Sequence, residues 1–103
     1  MHAIIKDKLE DLVEICVHRN VHSLALFGSA TGDNFKPDSS DIDFIVEFAT
    51  MKPSDHADCY FGLLEDLETL FGASVDLVEA STIINPYFRE AVEESLIRIY
   101  VAA

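Results

Sequence analysis

The sequence predicts an α+β fold within the broad α/β class: a small mixed β-sheet with helices covering mainly one face. Helical and strand periodicities occur in the order helix, strand, strand, helix, strand, helix, unlike the strict alternation of a doubly wound parallel sheet. The length of 103 residues suits a single domain over residues 1–103. Half of the residues are apolar and a quarter are charged, which is typical of a folded chain rather than a disordered one.

An amphipathic helix and a buried strand are predicted before the first glycine. Between residues 3 and 19 apolar side chains recur at helical spacing, and Asn20 can end this helix. The apolar members of the series are Ile5, Leu9, Leu12, Val13 and Cys16. Val21 to Phe27 is a short apolar run, which favours a buried strand, and Gly28 marks the turn that follows it.

A polar loop separates this strand from a second one. Residues 29 to 40 are rich in Ser, Thr, Gly, Asp, Asn and Pro, which favours turns, with a short helical turn after Ser29. The second strand is predicted from Asp41 to Phe48. Because side chains two apart on a strand point to the same face, Asp41 and Asp43 share one face while the intervening apolar residues pack on the other.

A long helix is predicted next, with Ser54 or Asp55 as its N-cap and Gly72 at its C-terminal end. The apolar side chains expected on its buried face are Ala57, Phe61, Leu64, Leu67 and Phe71.

The last part of the chain predicts a third strand and a final helix. In the strand from Ser74 to Glu79, Asp76 faces away from the apolar side that includes Leu77. Asn85 followed by Pro86 favours a helix start, and the helix should continue to Ser95. Residues 96 to 101 could extend this helix or form an edge strand, and the pattern does not choose between them.

The charge balance restricts the partners of this chain. Seven basic residues against nineteen acidic ones give a formal charge of −12, which disfavours direct binding to nucleic acid or to an anionic membrane. The acidity suits a basic protein partner, or simply a solvated surface. No apolar run approaches the roughly 18 residues of a membrane span and no secretory signal is visible, so a cytoplasmic location is expected. Cys16 and Cys59 are expected to be reduced and mostly buried.

Three carboxylates are predicted to lie together. Asp41, Asp43 and Asp76 would repel one another unless a cation neutralised them, and Mg²⁺ prefers such oxygen ligands. A site with two Mg²⁺ ions stabilises the attacking and leaving oxygens of phosphoryl transfer. We predict that Asp41 and Asp43 bridge both ions, and that Asp76 completes the ion nearest the attacking group and accepts its proton. Taken alone, Asp41 and Asp43 could instead cap the turn before the strand.

The Gly28-Ser29 turn is predicted to bind phosphate. Glycine permits close approach of the backbone, and N–H groups at the start of a short helix attract anions, with the Ser29 hydroxyl as a further donor. A Gly-Ser pair is common, so its weight comes from the apolar strand before it and the Asp-x-Asp strand after it.

The combined pattern resembles the polymerase-β-type nucleotidyltransferase superfamily, in particular its minimal nucleotidyltransferases of the MntA-like antitoxin group. The resemblance rests on Leu-Phe-Gly-Ser, the Asp41-Ile42-Asp43 strand, Val-Asp-Leu-Val around Asp76, and the Asn-Pro helix start. It implies the nucleotidyltransferase fold, a nucleoside triphosphate donor, most often ATP, and two Mg²⁺ ions. It also implies catalytic and metal-binding roles for Asp41, Asp43 and Asp76, and donor-phosphate binding by Gly28 and Ser29.

The resemblance also implies a partner: a small HEPN-type helical toxin, commonly encoded nearby, that the transferase neutralises by adenylylating a tyrosine. The sequence does not decide whether the protein forms a homo-oligomer or a hetero-oligomer. Many relatives carry an Arg just after Gly-Ser, whereas here no basic residue precedes Lys36, and Lys36 is hypothesised to take its place. The alternative function is a binding module that neutralises the partner by occlusion with little catalysis. A metal-dependent nuclease ranks third because the acidic chain would repel a polyanion.

Overall fold

The computed structural model describes residues 1–32, 35–36 and 38–103; Asp33, Asn34 and Pro37 of the predicted loop lie outside the described residues. The described strands are β1 (Val21–Phe27), β2 (Ile42–Phe48), β3 (Val75–Glu79) and β4 (Ile97–Val101). They form one sheet in the order β3-β2-β1-β4. β1 is antiparallel to β2 and to β4, whereas β2 and β3 are parallel. The predicted mixed sheet is confirmed, and the last segment forms the edge strand rather than a longer helix.

The described helices are α1 (Ala3–Lys6), α2 (Leu9–His18), α3 (Pro53–Phe71) and α4 (Pro86–Ser95). Short 3-10 helices span Gly28–Thr31 and Ala80–Thr82. Within the described ranges, no helix combines the length and the apolar character needed to cross a membrane.

The core lies between one face of the sheet and the helices α1, α2 and α3. Alternate residues of β2 point into it, so Ile42 and Phe44 are fully buried while Asp43 between them is only half-buried. Apolar side chains of α2 and α3 cover these strands, among them Leu12 of α2 and Leu63 and Leu67 of α3. α4 lies on the opposite face, where Phe88 packs edge-on against Phe27 with ring centroids 6.3 Å apart. Helices thus cover mainly one face, as predicted.

The caps explain several helix ends. Asn85 accepts hydrogen bonds from the backbone N–H groups of Tyr87 and Phe88 at 2.9 and 3.3 Å, which fixes the start of α4 as predicted. Gly72 ends α3 in the left-handed conformation at φ +60°, where glycine has no steric penalty. α3 starts at Pro53 after Lys52, so the predicted caps Ser54 and Asp55 are wrong; the fixed φ of proline suits the first helical position.

Two predicted helical details are also wrong. The predicted helix over residues 3–19 is two helices, because the backbone leaves helical geometry at Lys8, with φ −121° and ψ 17°. Before α1, the His2 N–H donates to the Ala30 carbonyl at 3.0 Å. The buried residues of α3 are Cys59, Leu63, Leu67 and Phe71. The predicted core residues Ala57 and Phe61 are exposed, Phe61 to 66%, because a different side of α3 packs on the sheet.

Candidate active site

Three strand ends and one turn meet at a single end of the sheet. In the antiparallel pair of β1 and β2, Phe27 lies opposite Asp43. In the parallel pair of β2 and β3, Asp43 lies beside Asp76. Gly28 follows Phe27 directly, and Asp41 immediately precedes β2. The backbone register therefore brings Gly28 and all three predicted aspartates to one end of the sheet.

The Asp43 side chain occupies the space that a side chain on Gly28 would need. A Cβ atom built on Gly28 would overlap Oδ2 of Asp43 and lie 3.2 Å from its Cγ. Gly28 also has φ +72°, a left-handed conformation that other L-residues rarely adopt. The left-handed backbone favours glycine at this position whatever space surrounds it, and the Asp43 carboxylate would in addition have to move aside for a side chain.

The electrostatics of Asp43 reflect its neighbours. Partial burial, followed in size by the negative charges of Asp76 and Asp41, raises the pKa of Asp43 to about 6. Both neighbours are exposed to solvent. The three carboxylates are therefore close enough to interact, and a bound cation would favour the ionised form of Asp43.

Hydrogen bonds to α3 fix the position of β3 and thus of Asp76. The Tyr60 hydroxyl donates to the backbone carbonyl of Leu77 at 2.7 Å, and the Val75 N–H donates to the Glu68 carboxylate at 3.2 Å. These bonds flank Asp76 on both sides. Burial and the charges of Glu79 and Asp76 raise the pKa of Tyr60, which keeps this hydroxyl protonated as the donor.

The side-chain positions do not form a finished metal site. Among the residues that the structure describes, no three His, Cys, Asp or Glu side chains lie close enough together to hold a metal ion. The register places Asp43 beside Asp76, but coordination of one ion by Asp41, Asp43 and Asp76 requires their side-chain torsions to change. Their metal-binding role remains a prediction.

The Gly28 turn is held by bonds that the sequence did not reveal. The Gly28 N–H donates to the Ser95 hydroxyl at the end of α4, with 3.0 Å between N and Oγ. The Thr31 hydroxyl donates to the Gly28 carbonyl at 2.7 Å, and the Gly32 N–H donates to the Ser29 carbonyl at 3.2 Å. Ser95 gave no local signal, since it lies 67 residues from Gly28 and only the packing of α4 brings it there.

The two other predicted phosphate-binding residues are accessible. Ser29 is exposed on the 3-10 helix Gly28–Thr31. This helix lies close to the short helical turn that the sequence predicted after Ser29. Lys36 is also exposed, and its backbone carbonyl accepts hydrogen bonds from the N–H groups of Ser39 and Ser40 at 3.1 and 2.9 Å. In the described part of the chain, the Lys36 side chain forms no ion pair with the aspartates. Its role in binding remains a prediction.

Comparisons with known proteins identify the family of this chain. Residues 6–99 match the family model described as "Nucleotidyltransferase domain". In Methanocaldococcus jannaschii, the protein named "Putative protein adenylyltransferase MJ1379" is 38% identical over 97 residues, which cover 93% of this chain and 84% of the relative. A second protein of that organism, "Putative protein adenylyltransferase MJ0128", is 38% identical over 92% of this chain and 94% of its own length.

Solved structures show the same fold. One described as a "putative minimal nucleotidyltransferase" is 28% identical, has a TM-score of 0.69 and covers 90% of both chains. A Shewanella oneidensis complex of a tri-AMPylated HEPN toxin with an MNT antitoxin matches with 17% identity and a TM-score of 0.62, over 94% of this chain and 72% of the other. A toxin-antitoxin structure with AMP-PNP matches with 19% identity and a TM-score of 0.65, over 91% of this chain and 73% of the other. The family match over most of the chain, together with this fold, establishes that the protein belongs to the nucleotidyltransferase domain family and is a nucleotidyltransferase.

Proposed function

We propose that this nucleotidyltransferase moves AMP from ATP to a hydroxyl group of a partner protein, a HEPN-type helical toxin encoded nearby for which it acts as antitoxin. The observation that carries the proposal is the position of Asp43, which lies against the Gly28 turn on one side and beside Asp76 on the other. This arrangement supports the proposal that the turn binds the donor phosphates next to carboxylates that suit Mg²⁺. The names of the two relatives and the HEPN–MNT complexes with the same fold support the protein acceptor.

The proposed reaction is an in-line displacement at phosphorus. The acceptor hydroxyl oxygen attacks the α-phosphorus of ATP and forms a new O–P bond. The bond between the α-phosphorus and the bridging oxygen breaks, and pyrophosphate leaves with that electron pair. Asp76 accepts the proton of the hydroxyl, because it is an exposed carboxylate at the same end of the sheet as Asp43.

The donor set fits two Mg²⁺ ions better than any softer metal, because all three ligands are carboxylates. Asp41 and Asp43 would hold both ions and Asp76 would complete one of them. Bound Mg²⁺ would neutralise the negative charge that the phosphates and carboxylates share. The repulsion that raises the pKa of Asp43 supports this assignment, since a cation would relieve it. The exposed side chains of Asp41 and Asp76 have room to rotate toward Asp43.

The donor phosphates would bind at the turn. Because Gly28 has no side chain, a phosphate can approach its backbone. The exposed Ser29 hydroxyl can donate to a phosphate oxygen. Lys36 would supply the positive charge that the first part of the loop lacks.

Exposed apolar side chains at the start of α4 support a protein partner. Ile84 and Tyr87, at the start of α4, are 90% and 82% exposed, and Phe88 next to them is 42% exposed while touching Phe27. Clustered apolar side chains on a surface mark interaction sites. We propose that the partner covers these three residues in a hetero-oligomer. Free Cys16 and Cys59 and the use of ATP suit a cytoplasmic location.

The test is transfer of label from ATP carrying a radioactive α-phosphate, with Mg²⁺ and the purified product of the neighbouring gene. We expect the label on the partner protein with the wild type and none with Asp43→Asn. Glu47→Gln is the matched control, because Glu47 is exposed on the same face of the same strand but lies four residues further along it. Absence of transfer by the wild type, or equal transfer by Asp43→Asn, would reject the proposal.

The second candidate is a partner-binding module that acts by occlusion. The observation that favours it is the lack of a basic residue between Ser29 and Lys36 in the sequence, which leaves the first part of the loop without a cation for the triphosphate. Calorimetry separates the two functions. A pure binding module would associate tightly with the partner without Mg²⁺ or nucleotide and would give no binding heat with Mg-ATP, whereas the proposed transferase binds Mg-ATP.

A further inference from the structure

Ser95 lies where the last turn of α4 reaches the active-site end of the sheet. Its hydroxyl oxygen accepts the Gly28 N–H at 3.0 Å, and the residue is only partly exposed. No other side chain of α4 forms a hydrogen bond with the Gly28–Thr31 helix among the described residues. This single bond therefore connects α4 with the turn that follows β1.

The same helix touches the residue before Gly28. Phe88, two turns earlier on α4, packs edge-on against Phe27, and Phe27 lies opposite Asp43 in the sheet. α4 thus contacts both residues at the junction of β1 and the turn, by an aromatic contact at Phe27 and by a hydrogen bond at Gly28. The aromatic contact restricts the approach of the helix, whereas the hydrogen bond fixes the direction of the Gly28 peptide.

The direction of that peptide matters because of the space next to Gly28. The Asp43 carboxylate lies where a Gly28 side chain would be, so a rotation of the Gly28 backbone would move atoms into or away from this carboxylate. Ser95 can thereby influence Asp43 without touching it.

We infer that Ser95 is a positioning residue of the active site: its hydroxyl fixes the Gly28 turn against Asp43 and so sets the affinity for Mg-ATP. The effect on Mg-ATP affinity, which is the nucleotide half of the inference, rests on the proposed function. The structural half, that Ser95 fixes the turn, concerns the Gly28 amide alone. No reacting atom contacts Ser95 in this role.

The structural half is tested by hydrogen exchange of the Gly28 amide in the nucleotide-free protein, followed by NMR. We expect Ser95→Ala to accelerate exchange of this amide up to about tenfold, the factor that corresponds to the free energy of one hydrogen bond. Ser95→Thr keeps the hydroxyl and should restore protection. Ser81→Ala is the matched control, since Ser81 is an exposed serine in the other 3-10 helix and is remote from Gly28 in the fold. Unchanged Gly28 exchange in Ser95→Ala would overturn the inference whatever the protein binds.

The nucleotide half is tested by calorimetric titration of Mg-ATP into the same variants. We expect Ser95→Ala to bind about tenfold more weakly, as for loss of one hydrogen bond, with Ser95→Thr close to the wild type and Ser81→Ala unchanged. If Gly28 exchanges faster in Ser95→Ala but the variant binds Mg-ATP as tightly as the wild type, the Gly28–Ser95 bond is merely structural. That result would overturn the positioning role. If the wild type binds no Mg-ATP, the proposed function fails together with this half, and the exchange data alone decide the structural half.

Discussion

The Asp43 carboxylate occupies the space that a Cβ atom on Gly28 would need. This relationship explains why a glycine ends β1, and it also explains how a charged side chain is partly shielded from solvent at the start of β2. The turn and the carboxylate are consequently one structural unit, and a change to either should disturb both.

Gly28→Ala should therefore abolish AMP transfer and destabilise the fold. Left-handed strain alone costs about 1–3 kcal/mol, and overlap with Asp43 adds to it. Thermal unfolding and label transfer are the measurements. Gly72→Ala is the control for strain without overlap, because Gly72 has φ +60° but nothing lies within 4 Å of its Cβ position. We expect Gly72→Ala to lose stability and keep activity; full activity in Gly28→Ala would contradict the role of this space beside Gly28.

Asp43→Asn should stabilise the metal-free protein in a pH-dependent manner. The pKa of Asp43 is about 6 in the folded protein and 3.8 as the reference value, so the folded state binds more protons between these values. Its contribution to stability is therefore present at low pH and is lost as pH rises through about 6. Asparagine does not ionise, so the stability advantage of the variant should grow from about pH 4 to pH 6 and then level off.

This comparison is made by denaturant unfolding in EDTA, with Glu47→Gln as the parallel carboxylate-to-amide control. A difference between Asp43→Asn and the wild type that stays constant over this pH range would contradict the raised pKa.

Mg²⁺ should stabilise the wild type through Asp43. Free Mg²⁺ at ten times its dissociation constant should add about 1.4 kcal/mol to the free energy of unfolding near pH 7. The gain should shrink below about pH 6, where protons compete with the metal for Asp43. The measurement is the melting temperature with and without Mg²⁺ at constant ionic strength. An equal gain in Asp43→Asn would place the metal elsewhere.

Lys36→Ala should weaken Mg-ATP binding about fivefold, the size expected for one exposed charge pair of about 1 kcal/mol. Calorimetry gives the affinity directly. Lys52→Ala serves as the matched control, since Lys52 is an exposed lysine before α3, outside the loop. Unaltered affinity in Lys36→Ala would show that the loop binds triphosphate without a cationic side chain.

The sequence predicted the parts of this fold that local signals control. The bounds of β1, the cap at Asn85 and the left-handed end of α3 at Gly72 each depend on a few neighbouring residues. The side of the sheet on which each β2 residue lies was predicted equally well. Because side chains alternate along a strand, Asp43 must face away from the core once Ile42 and Phe44 are buried.

What the sequence could not predict depends on contacts between distant segments. The exposure of Phe61 depends on which side of α3 packs on the sheet. α3 is apolar on more than one side, so its periodicity alone fits several rotations. Ser95 is the clearest case, because a single serine at a helix end carries no information about a partner 67 residues away.

The Gly28–Ser95 bond also determines when this site can exist. A chain still emerging from the ribosome can pair β1 with β2, and later β2 with β3, before α4 has been made. The Gly28 turn acquires its hydrogen bond to Ser95 only when residue 95 is available, 67 residues after Gly28. A nascent chain that has already paired β1, β2 and β3 therefore still lacks the bond that fixes the Gly28 turn.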